Sequence, residues 1–111
     1  MTNKSAQIVS TLILDWRSEP ELEYYLSFLD KTGKQFYEKM REAGLISWRV
    51  SRVFNKINAI KTSEVYIYSD QKAYVKGQLI IGKWRKDHET FYKHMTVKVE
   101  ANRAILLFEY I

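Results

Sequence analysis

No cysteine occurs among the 111 residues, which excludes disulfides, thiolate zinc sites and a cysteine nucleophile together. Proline appears once and glycine four times, so long regular elements are expected to outweigh loops. Two histidines are too few for most metal sites unless carboxylates or a second subunit help, and neither a metal nor a cofactor is expected. No run approaches the roughly 20 apolar residues of a membrane span. The polar start, Met1 to Gln7, lacks the apolar segment of a secretory signal, and a cytoplasmic location is expected.

What the chain does contain is ordinary for a folded domain. Apolar residues make up 46% and charged residues 28%, which excludes disordered and low-complexity readings. The length suits one domain, residues 1–111, with one modest core. The net charge is +5. Residues 1–55 hold 8 basic and 7 acidic side chains, residues 56–111 hold 10 and 6. The excess gathers in Lys83, Arg85, Lys86, Lys93 and Lys98. Such a balance admits an anionic partner without requiring one.

Periodicity gives the elements. Ile8–Leu14 is uncharged and partly β-branched, and reads as a buried strand. Ser18-Glu-Pro-Glu21 combines a serine cap, a glutamate three residues on and a proline in the first turn. Leu22, Leu26, Leu29, Gly33, Phe36, Met40 and Ala43 then recur at helical spacing, and Gly44 supplies the stop. In Leu45–Phe54, residues Ile46, Trp48, Val50 and Phe54 share one strand face, interrupted by Arg52. Residues 55–62 read as a loop or ragged hairpin end. Ser63–Ser69 is a strand with Val65 and Ile67 opposed to Tyr66 and Tyr68.

The second half is less regular. Asp70 is placed to cap a helix through Ala73, Gly77, Ile80 and Trp84, although its two glycines make Lys76–Gly82 a poor helical stretch. Asp87 is placed to cap a further helical segment aligned through Phe91, Met95 and Val99, so the second helix is broken between Trp84 and His88. Thr96–Glu100 alternates like a strand and competes with that helical reading. Ala104–Ile111 is a strongly apolar final strand.

The order is β-α-β-β-α-β, an α+β ferredoxin-like arrangement of a four-stranded antiparallel sheet with two helices on one face. Apolar residues at nearly consecutive positions in the first and last strands imply burial on both faces. Sheet-to-sheet homodimerisation would supply the second cover.

On the strand Ile8–Leu14, the helix capped at Ser18 and the passage Tyr66-Ile-Tyr-Ser-Asp70 to Ala73-Tyr74, the chain resembles the dimeric α/β-barrel superfamily of ferredoxin-like proteins. That superfamily includes antibiotic-biosynthesis-type monooxygenases, EthD-like proteins and NIPSNAP-like proteins. The resemblance implies a cleft between helices and sheet that holds a small apolar ligand. If the protein is an enzyme, the resemblance implies an acid–base or oxygen-dependent reaction without bound metal.

Candidate site residues are weighed on their chemistry. His88 and His94 are six apart, not the i, i+4 pair of a helical metal site. His88, beyond the helix break, is the candidate proton carrier, against the alternative of a solvated histidine. Asp15-Trp16-Arg17 could bind a polar group, but a surface ion pair at a strand end is the simpler account. Tyr25, Trp48, Tyr66 and Trp84 are candidate walls of a ligand cleft, and Arg49 is its candidate anion anchor. Aromatics at helical spacing are more often core. Two other functions compete with a small-molecule protein. A nucleic-acid-binding protein would need exposed aromatics on the middle strands beside a basic surface. A protein-interaction or inhibitory module would have no pocket at all.

Overall fold

The computed structural model describes residues 6–111; the polar start at residues 1–5 lies outside them. Strands β1 (Ile8–Asp15), β2 (Leu45–Arg52), β3 (Lys61–Tyr68) and β4 (Lys98–Ile105) alternate with helices α1 (Glu19–Glu42), α2 (Gln71–Asp87) and the single turn α3 (Glu89–Tyr92). The sheet order is β2-β3-β1-β4 with every neighbouring pair antiparallel. This is the ferredoxin-like fold, with the second helix broken at His88.

The local signals act as the chemistry requires. Ser18 Oγ accepts from the Glu21 N–H at 3.2 Å, and Asp70 Oδ1 accepts from the Ala73 N–H at 2.8 Å, each satisfying an orphan donor of a first helical turn. Gly44 follows α1 with φ +112°, a conformation that side chains rarely tolerate. Lys76–Gly82 lies within α2 despite its two glycines, contrary to the reading of it as a poor helical stretch. A Cβ at Gly77 would lie 2.6 Å from the Tyr68 ring, so the missing side chain lets α2 settle on β3.

Other expectations are corrected. A β-bulge between Leu45 and Ser47 shifts the phase of β2, so Leu45 and Trp48 face the helices while Ile46 is exposed. Phe54 lies past the end of β2 and is 95% exposed. Tyr25, not Leu26, joins the buried stripe of α1. Asp87 pairs with Lys83 at 2.8 Å instead of capping α3, whose N-cap is His88. The helical alignment through Met95 and Val99 fails, because the helix ends at Tyr92 and a strand starts at Lys98. What draws α3 onto α1 is aromatic: Phe91 stacks on Phe28 with centroids 3.9 Å apart and on Tyr24 at 4.9 Å, a geometry that adds to area burial. The last strand begins and ends earlier than expected, and Leu107, Phe108, Tyr110 and Ile111 are exposed beyond it.

The strand registers divide the sheet into two faces. Toward the helices lie Ser10, Leu12 and Leu14 of β1, Thr62, Glu64, Tyr66 and Tyr68 of β3, and Val99, Ala101 and Arg103 of β4. Away from them lie Val9, Thr11, Ile13, Val65 and Ile67, all half-buried, flanked by Arg49, Lys98, Glu100 and Asn102. From Ile8 to Leu14, β1 is buried or half-buried on both faces, as its pattern implied, whereas the last strand, for which the same was expected, is exposed along its whole length.

Candidate functional site

β3 carries the site because of its alternation. Thr62, Glu64, Tyr66 and Tyr68 all point beneath the helices and are buried. Thr62 Oγ1 accepts from Trp16 Nε1 at 2.9 Å, which fixes the indole at the end of β1. Asp15 and Arg17 on either side of it are exposed, and Arg17 lies 3.8 Å from Glu21, a surface contact at the strand end.

Glu64 is 1% exposed, the kind of burial a carboxylate tolerates only with hydrogen-bond partners. Three neutral donors surround it. The Tyr25 hydroxyl donates to Oε2; Trp48 Nε1 donates to Oε1 at 3.0 Å and the Tyr66 hydroxyl to the same oxygen at 3.1 Å. No ion pair among the described residues involves it. Burial, and then the Glu64 charge, push the hydroxyls of Tyr25 and Tyr66 well above the ordinary tyrosine range, so both remain donors near neutral pH. Burial also pushes Tyr68 up to about 12. The arrangement is a carboxylate held by three donors of α1, β2 and β3.

This cluster forms one wall of a cavity of about 390 Å³ between sheet and helices, within the size range of small-molecule sites. Leu12, Leu29, Phe36, Ile81, Trp84 and Tyr92 supply apolar walls. Its exposed lining residues, Arg85 of α2 and Val99, Ala101 and Arg103 of β4, mark its open side.

Of the residues singled out in the sequence, the structure brings Tyr25, Trp48, Tyr66 and Trp84 together around this cavity. It places Arg49 elsewhere: Arg49 pairs in register with Val65 on the opposite face of the sheet and is exposed. His88 also stays outside the lining. Its ring lies against Trp84 at 4.1 Å and edge-on to Phe28 at 5.4 Å, and Nδ1 donates to the Trp84 carbonyl at 2.8 Å. Trp84 thus stands in front of His88, which makes the histidine a support for a wall. The cavity lining also contains Glu64, Arg85 and Arg103, which the sequence does not single out for a cleft. For Glu64 a signal existed, since it shares the period-two face of Tyr66 and Tyr68.

The architecture and its aromatic cavity define an α+β protein of the ferredoxin-like class. Within that class, the chain belongs to the family described as a domain of unknown function, DUF6974, whose model matches residues 5–106. Two solved structures described as dimeric ferredoxin-like proteins from uncultured marine organisms are similar to it. One is 32% identical, with 95% of this chain and 98% of that chain covered and a TM-score of 0.86. The other is 19% identical, with 96% and 100% covered and a TM-score of 0.90. SnoaB of Streptomyces nogalater, described as a cofactor-independent oxygenase, shares the fold at 11% identity, covering 95% and 97%, with a TM-score of 0.65. A comparison with curated protein sequences finds no match.

Proposed function

We propose that the protein binds, and where chemistry follows transforms, a small organic ligand in the cavity between sheet and helices. The observation that carries this reading is the cavity itself: about 390 Å³ of aromatic-lined space that the side chains leave unfilled around a buried carboxylate. In this reading Tyr25, Trp48, Tyr66 and Trp84 are ligand-contacting walls. Glu64 is the polar anchor, with the one lone-pair site its three donors leave available to a ligand hydroxyl or N–H. The likeness of fold to a cofactor-independent oxygenase is consistent with chemistry on a bound ligand without assigning a reaction.

The nucleic-acid alternative is the weaker one. Tyr66 and Tyr68, which base stacking would need exposed, are buried under the helices. A module without a pocket fits less well, because the space beneath the helices is not filled.

The same reading includes a homodimer. Two similar structures are described as dimeric, and Val9, Ile13, Val65 and Ile67 form an apolar stripe on the sheet face that the helices leave uncovered, a surface a second copy would hide. Sedimentation of the wild type at micromolar concentration is expected to show a dimer, and Val65→Lys a monomer.

The ligand-binding reading is tested by native mass spectrometry of freshly purified protein together with tryptophan fluorescence under titration with naphthalene-sized aromatics. Saturable quenching is expected, and Leu12→Trp, which fills the cavity, abolishes it. Unsaturable quenching that Leu12→Trp leaves unchanged would remove the cavity as the site.

A further inference from the structure

The cavity is asymmetric in charge, and this asymmetry selects among ligands. Its inner wall holds Glu64, whose oxygens already accept three hydrogen bonds. Its mouth holds Arg85 from α2 and Arg103 from β4. Among the described residues neither arginine forms an ion pair. Each lies over a ring instead, Arg85 4.9 Å from the Tyr92 centroid and Arg103 6.0 Å from that of Tyr74. Stacking engages the face of a guanidinium and leaves its edge N–H donors open, the fork that fits a carboxylate. The acidic group nearest Arg85 in sequence, Asp87, is engaged by Lys83.

Resting on the cavity reading above, we propose that the ligand is an aromatic carboxylic acid, bound with its ring among Trp48, Tyr66 and Trp84 and its carboxylate toward Arg85 and Arg103. Two opposing effects set this orientation. Glu64 repels an anion from the inner end, and two cations with unspent donors draw it to the mouth. The Glu64 charge is already met by three donors, so it competes weakly for a cationic ligand, whereas the arginines offer charge-assisted hydrogen bonds, about twice as strong as neutral ones. A hydroxyl or N–H at the far end of the ring would complete the match at Glu64.

Three probes of one shape separate the claims: 1-naphthoate, the neutral 1-naphthamide and the cationic 1-naphthylmethylamine, titrated by tryptophan fluorescence at neutral pH. Naphthoate is expected to bind about tenfold more tightly than the amide at low salt, with the amine weakest. Arg85→Gln and Arg103→Gln should each reduce the ratio, and the double variant should bring it near one while amide affinity holds. Lys56→Ala, which removes a charge from an exposed loop, should leave the ratio alone. Equal affinity for acid and amide, or tightest binding of the amine, would overturn the acid assignment and leave the cavity standing. Saturable binding of none of the three would overturn both.

Discussion

β3 and β4 are both eight-residue strands, both flank β1, and both turn every second residue toward the helices. In β3 all four of those residues are buried; in β4 Val99, Ala101, Arg103 and Ile105 are all exposed. The helices cover the β1–β3 side and stop short of the edge strand. One sheet face therefore supplies a closed end, where polar groups must be satisfied internally, and an open mouth, where water and ligands compete for them. Residue chemistry follows the same division. β3 inserts a carboxylate where only three donors make it tolerable, and β4 presents an arginine whose donors need no internal partner.

The sharpest way to break this contrast is to remove the carboxylate. Glu64→Ala leaves two hydroxyls and an indole N–H facing a void. The expected loss is on the order of 3 kcal/mol of stability, read from the urea midpoint. Glu64→Gln keeps an acceptor oxygen and should cost less, about 1–2 kcal/mol. If the two variants are equally stable, the network is not what holds the closed end together. The next effect is packing. Gly77→Ala gains helix propensity of about 1 kcal/mol but places a Cβ 2.6 Å from the Tyr68 ring and 3.2 Å from Met40. Overpacking of about 1–3 kcal/mol is expected to win, lowering the melting temperature, where an alanine at Gly82, with open space around it, should raise it.

How far this contrast was legible in the sequence differs between the strands. The fold followed from signals that act locally: the Ser18 and Asp70 caps, the stop at Gly44, and the alternation of β3. Tyr25, Trp48, Tyr66 and Trp84 drew attention as aromatics, and tertiary packing gathers them around one cavity. Arg49 could not join Trp48 in one cleft, because strand alternation already sets the two on opposite faces, a relation the structure keeps. The bulge before Ser47 changes only the phase of Leu45 and Ile46, and a bulge leaves little trace in a single sequence. His88 misled because a break in a helix suggests a functional loop, while here the break is filled by stacking on Trp84 and Phe28. A lone glutamate in a strand is ordinarily solvent-facing, and two of the three donors that make the burial of Glu64 tolerable come from residues 16 and 39 positions away.

Alkaline pH sharpens the comparison further. Tyr25, Tyr66, Tyr68 and Tyr92 all have hydroxyls raised above the ordinary value, with burial the first cause in each. Below about pH 10 they are protonated folded and unfolded alike, and contribute no pH dependence. Above it the unfolded chain releases protons that the folded chain retains, so unfolding is favoured and stability falls as pH rises. Chemical denaturation at a series of pH values should show that decline, and Tyr66→Phe, which has no proton to release, should shallow it. A profile flat through this range would mean that these hydroxyls are far more open to water than their burial indicates.

The smallest expected effect tests the open side. Val99 is 53% exposed on the helix-facing side of β4, so Val99→Ser in an uncovered edge strand should change stability by no more than about 0.5 kcal/mol. The value of the variant lies in its dependence on protein concentration. If nothing covers β4 in solution, the difference from wild type stays small at every concentration. If a second copy, or its apolar Leu107–Ile111 segment, lies across the mouth, serine weakens that contact, and the gap in melting temperature widens as the protein is concentrated. A widening gap would make the edge strand part of an interface and the mouth a feature of two chains, so that Arg85 and Arg103 would meet a ligand beneath a partner and not in open water.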